Sequence, residues 1–192
     1  MPAQRVPGDD PLVSSRTLSN AELAALGREV IDASLLRGDF VLSSGAHSSY
    51  YLDKYRFETE PGLLARLAAA LATRIPAGTQ RLAGTELGAV ALATALALAT
   101  GLTFVIVRKE AKGYSTSHLI EGVLEPGDQV LVVEDVVTTG AQSVKAARRV
   151  VEAGGTVTGI LAVVDREEGG AEGISAAGFA FEALFTRTGL GI

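Results

Sequence analysis

The chain of 192 residues contains no cysteine and no tryptophan, only one methionine, and only 5% aromatic residues. Without cysteine there is no disulfide framework, no thiolate nucleophile and no zinc ribbon. Histidine is almost as scarce. His47 and His118 stand far apart and make no metal-ligand cluster. Positive charge is also in deficit, with 17 Lys and Arg against 22 Asp and Glu and a net charge of −5. That balance argues against a broad nucleic-acid surface, so an anionic substrate needs a local basic patch. The longest nearly apolar run, Leu87 to Leu102, falls short of the ~20 residues of a membrane span. Thr94, Thr100 and Gly101 interrupt it, so it reads as a buried helix. Met1 to Ser15 holds Pro2, Pro7 and Pro11 and no apolar signal region. Residues 1–18 are expected to form a flexible leader, and the protein to be cytoplasmic and not bound to a membrane.

What is present is globular: 47% hydrophobic and 20% charged residues, enough for one domain over residues 19–192. Ser19 and Glu22 have capping-box spacing. Leu23, Leu26, Val30, Ile31 and Leu35 then repeat at helical spacing up to Gly38. Residues 40–52 read as two short strands around a turn at Ser44-Gly45. Helix 63–75, strand 81–83, turn 84–88, an alanine-rich helix and strand 103–107 follow. Residues 109–121 read as a polar loop and 125–128 as a turn. The remainder alternates strand 129–133, helix 141–153, strand 157–164, helix 171–177 and strand 179–184. Such alternation implies an α/β fold with a parallel sheet covered on both faces. Its ligand loops, 84–88, 108–121 and 134–143, lie at the carboxyl ends of strands.

Val130 to Ser143 carries the most chemistry. An apolar strand is followed by Glu134 and Asp135, where the strand is expected to end, then by Thr138, Thr139 and Gly140 and a helix. The first N–H groups of a helix lack internal partners and, with the dipole, favour an anion. The acidic pair repels the same phosphate but suits hydroxyl groups, or a metal carried by the ligand. A sugar phosphate offers both ends. The stretch is not a Walker A loop, which needs G-x-x-x-x-G-K-[ST]. Arg108, Lys109 and Lys112 place three of the 17 basic residues in one segment after a strand. Alone this is an ordinary solvated edge. Beside a phosphate site, it can stabilise charge on departing oxygens.

The Glu134–Ser143 stretch resembles the phosphoribosyl pyrophosphate (PRPP) motif of type I phosphoribosyltransferases. With Phe40-Val-Leu-Ser-Ser-Gly45, Tyr50, Tyr51, Asp53, Gly84-Thr-Glu-Leu-Gly88, Arg108-Lys-Glu-Ala-Lys112, Leu119-Ile-Glu-Gly122 and Asp165-Arg-Glu-Glu-Gly-Gly170, residues 20–190 resemble the orotate phosphoribosyltransferases. The resemblance implies a Rossmann-like parallel-sheet fold with a small N-terminal hood, about residues 19–57. It implies transfer of the phosphoribosyl group from PRPP to orotate, giving orotidine 5′-monophosphate and pyrophosphate in pyrimidine synthesis. Mg²⁺ would be held mainly by PRPP and not directly by protein side chains. Carried over by position, Glu134 and Asp135 hold ribose hydroxyls, and Val136, Val137, Thr138, Thr139, Gly140, Ala141 and Gln142 complete the phosphate loop. Thr85, Glu86 and Leu87 form a second pyrophosphate turn. Arg108, Lys109 and Lys112, with Asp135, serve catalysis. Arg166 pairs with the orotate carboxylate, and Thr138, Tyr51 and Leu52 flank the base. The resemblance also implies a homodimer with shared active sites. Two departures stand out: Ser43 where many members carry lysine, and Tyr114-Ser115 where His-Gly or Tyr-Gly is common. The other readings are a purine phosphoribosyltransferase and a PRPP-sensing regulator.

Overall fold

The computed structural model describes residues 17–41, 47–110 and 119–192. Ser43, the 44–45 turn, Lys112, Tyr114-Ser115, His118 and most of the leader lie outside the described residues. Leu18, placed in the leader by sequence, packs against the core. Helix α1 (Asn20–Ser34) opens with the expected capping box: Glu22 N–H donates to Ser19 Oγ at 3.3 Å, and Ser19 N–H to Glu22 Oε2 at 2.9 Å. The helix stops at Ser34, not at Gly38. Leu35 starts strand β1 (Leu35–Val41), which pairs antiparallel with β2 (His47–Leu52). Register shifts between Arg37 and Phe40. Gly38 therefore marks a bulge instead of a helix stop: a ladder partner distant in sequence satisfied the backbone where helical bonding would have continued.

Helix α2 (Lys54–Glu58) is too short to show helical periodicity and had no sequence signal. Its Phe57 is fully buried and anchors it. Helix α3 (Pro61–Ala72) starts with proline at its first position, and the Glu60 carboxylate accepts from the N–H groups of Gly62 and Leu63. Strand β3 (Arg81–Thr85), α4 (Ala89–Thr100), β4 (Thr103–Val107), β5 (Ile120–Glu121) and β6 (Gln129–Val137) follow. Then come α5 (Ala141–Glu152), β7 (Thr156–Asp165), α6 (Gly170–Ala176), β8 (Phe181–Thr186) and a last turn, α7 (Arg187–Leu190). Among the described residues no helix is long and apolar enough to cross a membrane.

The main sheet has the order β5-β4-β3-β6-β7-β8, parallel except for the edge strand β5. Side chains alternate across it. Leu82, Leu131, Val133 and Leu161 join one core with Phe57, Leu67, Leu92 and Leu96. Ala83, Val130, Val132 and Ala162 join the other with Ala147, Val150 and Ile174. Both faces are thus covered, as a parallel sheet requires. From β3 the chain winds outward to β4, then returns to β3's other side as β6 and continues to β7 and β8. The reversal falls between β3 and β6. Such a switch point opens a crevice at the carboxyl ends of the strands.

Helix α4 lies against β3 because Gly84 has no side chain. A Cβ there would stand 2.7 Å from Ala93 Cβ and 2.9 Å from the Ala89 carbonyl oxygen. Gly84→Ala is therefore expected to lower unfolding stability by about 1–3 kcal/mol, as overpacking does. Urea denaturation measures it; an unchanged midpoint would mean that the contact relaxes freely.

Candidate active site

Strand β6 runs to Val137, four residues past the expected end. Glu134 and Asp135 therefore sit inside the strand and are nearly buried, 6% and 2% exposed. The correction has a pairing origin. The β3 ladder stops at Gly84–Val133, while β7 continues alongside β6 to Val137–Asp165. One edge of β6 is thus left open to the crevice just where the acids begin.

Around that edge one cleft is lined by Thr85, Glu86, Arg108, Lys109, Glu134, Asp135, Val136, Val137, Thr138, Thr139, Ala141 and Gln142. These were expected to act together, and the tertiary structure brings them together. Thr138, Thr139, Ala141 and Gln142 are exposed, and the N-cap of α5, Gly140, makes no side-chain cap. The helix thus presents an uncapped N-terminus to the cleft, suited to an anion. Gly140 adopts φ 74°, and Gly170 lies so close beneath the loop that a Cβ would meet the Thr138 carbonyl oxygen at 2.5 Å.

The turn after β3 holds a cis peptide between Glu86 and Leu87, and Leu87 is 63% exposed. Glu86 ties this turn to the basic segment: its carboxylate accepts from Lys109 N–H at 2.9 Å, and its N–H donates to the Val107 carbonyl at 2.8 Å. From α5, Arg149 donates to the carbonyls of Arg108 and Lys109, the latter at 2.8 Å. The Arg108 guanidinium rests 3.6 Å from Glu121, while Lys109 is exposed.

Residues expected at the base are arranged differently. Leu52 is buried in the core and Tyr51 packs on Phe40, with ring centroids 5.8 Å apart; neither lines the cleft. Arg166 follows β7, and its N–H donates to the Val137 carbonyl at 2.9 Å, next to the Thr138–Gln142 segment. Its guanidinium bonds Glu168 at 2.8 Å and the Tyr50 hydroxyl at 3.4 Å and lies 5.5 Å from the Tyr50 ring centre. Its Nε is buried with no partner among the described residues.

Sequence reasoning missed Lys54, Glu58, Ser143 and Arg149. Lys54 Nζ lies 2.6 Å from Asp135 Oδ2, and Thr85 Oγ1 donates to Glu134 Oε2 at 2.6 Å. No spacing links α2 to β6, so only packing could reveal the first contact. Burial, then the Asp135 charge, pushes Glu134 up to about 7, against the hydroxyls of Thr85 and Ser143 and the charge of Lys54. Burial, then Asp135, pushes Glu58 up to about 9. Burial alone would pull Lys54 down, but the charge and hydrogen bond of Asp135 outweigh it and raise its pKa.

An open parallel sheet with buried acids, an uncapped helix N-terminus and a basic segment around its switch point defines a phosphoribosyltransferase of type I. No family model matches the chain. The orotate phosphoribosyltransferase of Methanocella arvoryzae is 50% identical over 147 residues, covering 77% of this chain and 84% of that protein. The one from Halobacterium salinarum is 50% identical over 153 residues, covering 80% and 87%. A crystal structure of Mycobacterium tuberculosis H37Rv orotate phosphoribosyltransferase in complex with PRPP is similar at TM-score 0.73 and 35% identity, covering 89% of this chain and 99% of that one. The chain belongs to the orotate phosphoribosyltransferase family.

Two raised carboxyls have a consequence for stability. Between the ordinary 4.5 and their folded values of about 7 and about 9, Glu134 and Glu58 bind protons in the folded chain but not in the unfolded one. Their contribution is fully present below about pH 4.5 and is lost as pH rises through 7 and then 9. The melting temperature of the ligand-free protein should therefore fall from about pH 5 to pH 9. Glu58→Gln should flatten the upper part of that fall; an equal slope in the variant would show that Glu58 is ionised throughout.

Proposed function

We propose that this protein transfers the 5-phosphoribosyl group from PRPP to orotate, releasing pyrophosphate and forming orotidine 5′-monophosphate for pyrimidine synthesis in the cytoplasm. Residues 19–192 act as one domain, with the hood at about 19–57. The observation that carries this reading is the conjunction at the switch point: buried acids, the uncapped N-terminus of α5 and the Arg108-Lys109 segment line one cleft.

In this reading the N–H groups around Thr138–Gln142 hold the 5′-phosphate, and the carboxylates of Glu134 and Asp135 accept from the ribose hydroxyls. Glu134 Oε1 is buried without a partner among the described residues, which is the state of an acceptor awaiting a donor. Arg108 and Lys109, joined by Lys112, offset the charge that builds on the leaving oxygens as the bond to C1 breaks and the base nitrogen closes on that carbon. Arg149 holds the backbone of this segment in place. The described residues contain no group of three or more His, Asp or Glu arranged to hold a metal ion. Thr85 donates to Glu134, and Lys54 pairs with Asp135. Mg²⁺ bound by PRPP would supply positive charge to the departing pyrophosphate.

Arg166, beside the phosphate loop and with a free Nε, supports an anionic base over a purine. Its planar fork suits the orotate carboxylate. PRPP-dependent loss of orotate absorbance tests the activity itself. In that assay Arg166→Ala should raise the Michaelis constant for orotate about 10- to 100-fold, as loss of a charged hydrogen bond of ~1.5–3 kcal/mol does. The constant for PRPP should move little; parental orotate kinetics would place the base elsewhere.

The active unit is a homodimer with shared sites, in keeping with the commonest closed symmetry. Complementation tests this. A variant carrying Lys109→Ala and Lys112→Ala, and a second carrying Asp135→Asn, should each be nearly inactive. After random 1:1 exchange, heterodimers with one working site in two should return about a quarter of parental activity. Demonstrated exchange without recovery would mean that each loop serves its own chain.

A further inference from the structure

Among the described residues of the hood, Lys54 lines the cleft. Helix α2 is pinned by the fully buried Phe57, and the Asp53 N–H donates to the Ser34 carbonyl at 2.9 Å. Lys54 and Glu58 are four residues apart and so share a helix face. That face is turned to β6. Lys54 Nζ stands 2.6 Å from Asp135 Oδ2, with the lysine side chain 33% exposed and the aspartate 3%. Gly88 closes the third side: a Cβ there would fall 1.6 Å from Asp135 Oδ2 and 2.9 Å from Lys54 Nζ. The missing side chain at Gly88 therefore leaves room for this pair at the edge of the cleft.

Asp135 lies among acids: Glu134 adjoins it on β6, Glu58 faces it from α2, and Asp53 and Tyr55 flank that helix; Glu58 and Glu134 yield by taking up protons, so the charge stays on Asp135. Among the groups facing Asp135, Lys54 supplies the positive charge. An isolated carboxylate in such a place would take up a proton, and a protonated acid accepts fewer hydrogen bonds from ribose hydroxyls. Lys54 also lines the cleft next to the phosphate loop, so its ammonium is in reach of solvent and substrate while its partner is buried.

We propose that Lys54 is a positioning residue of the transferase: from the hood it keeps the Asp135 carboxylate charged and aimed at the ribose of PRPP. The inference rests on the function proposed above. An acceptor that must be ionised works only above its own pKa. An opposite charge within about 4–6 Å typically lowers a carboxyl pKa by 1–3 units. Loss of the Lys54 charge therefore shows first in PRPP use, and in orotate use only through PRPP.

The test is the pH profile of kcat/KM for PRPP in the full-length protein, with parent, Lys54→Met and Lys54→Arg compared. In Lys54→Met the acid limb should move upward by about 1–3 pH units. The loss should deepen about tenfold for each pH unit below the shifted limb and be largely recovered above it. Lys54→Arg keeps the charge and should keep the parental limb. If Lys54→Met does not fold, Lys54→Gln, polar but uncharged, carries the same comparison. A limb that stays in place in the uncharged variants, or a loss equal at every pH, would reduce Lys54 to a structural tie and overturn the proposal. So would a shifted limb in Lys54→Arg. A parent protein with no PRPP-dependent orotate consumption would instead overturn the function on which the proposal rests, so the two failures are distinguishable.

Discussion

The architecture of the site depends on an inequality of strand lengths. Strand β6 is paired on both edges as far as Val133 and on one edge from Glu134 to Val137. Had β3 continued beside it, the backbone edge near the two acids would be consumed by a ladder, and no crevice would open there. Because β3 turns away at Thr85 into the Glu86–Gly88 turn, the end of β6 and the start of α5 face an open space. Gly84 and Gly88 allow that departure: the first lets α4 lie on the sheet, and the second leaves room for the Asp135 carboxylate.

Placing carboxylates in a strand instead of at its solvated end carries an electrostatic cost, because burial disfavours the charged form. The molecule meets it with distributed partners. Thr85 bonds one Glu134 oxygen, Ser143 assists from the first turn of α5, and Lys54 pairs with Asp135 from the hood. The compensation is incomplete, and Glu134 and Glu58 remain raised. Such unspent acceptor capacity is common at functional sites, where structure is held in a state that a ligand completes.

The basic segment follows the opposite rule. Arg108 and Lys109 lie near the surface, and their backbone is fixed from three directions. Leu119 accepts from the Arg108 N–H, Glu86 accepts from the Lys109 N–H, and Arg149 donates to both carbonyls. Charged side chains are thus delivered on a held backbone. The same guanidinium of Arg149 links helix α5, whose uncapped N-terminus faces the cleft, to the segment on the facing side.

Local physical signals were enough to read most of the scaffold. The capping box at Ser19, the alanine-rich run of α4, the strand at β4 and the turn at Glu125–Asp128 depend on residues within a few positions of one another. So does the phosphate loop, where an apolar strand, two acids and a small-residue turn are contiguous. Elements whose reason is distant could not be read. Gly38 as a bulge depends on β2, the continuation of β6 depends on β7, and α2 depends on the burial of Phe57 rather than on periodicity. By itself the sequence determined the alternation of most strands and helices, the α/β class and the chemistry offered at Glu134–Gln142. The tertiary structure alone decided that Lys54 and Arg149 meet that chemistry. Short-range periodicity and capping are written along the chain, whereas charge pairing across more than eighty residues exists only once the sheet has brought its ends together.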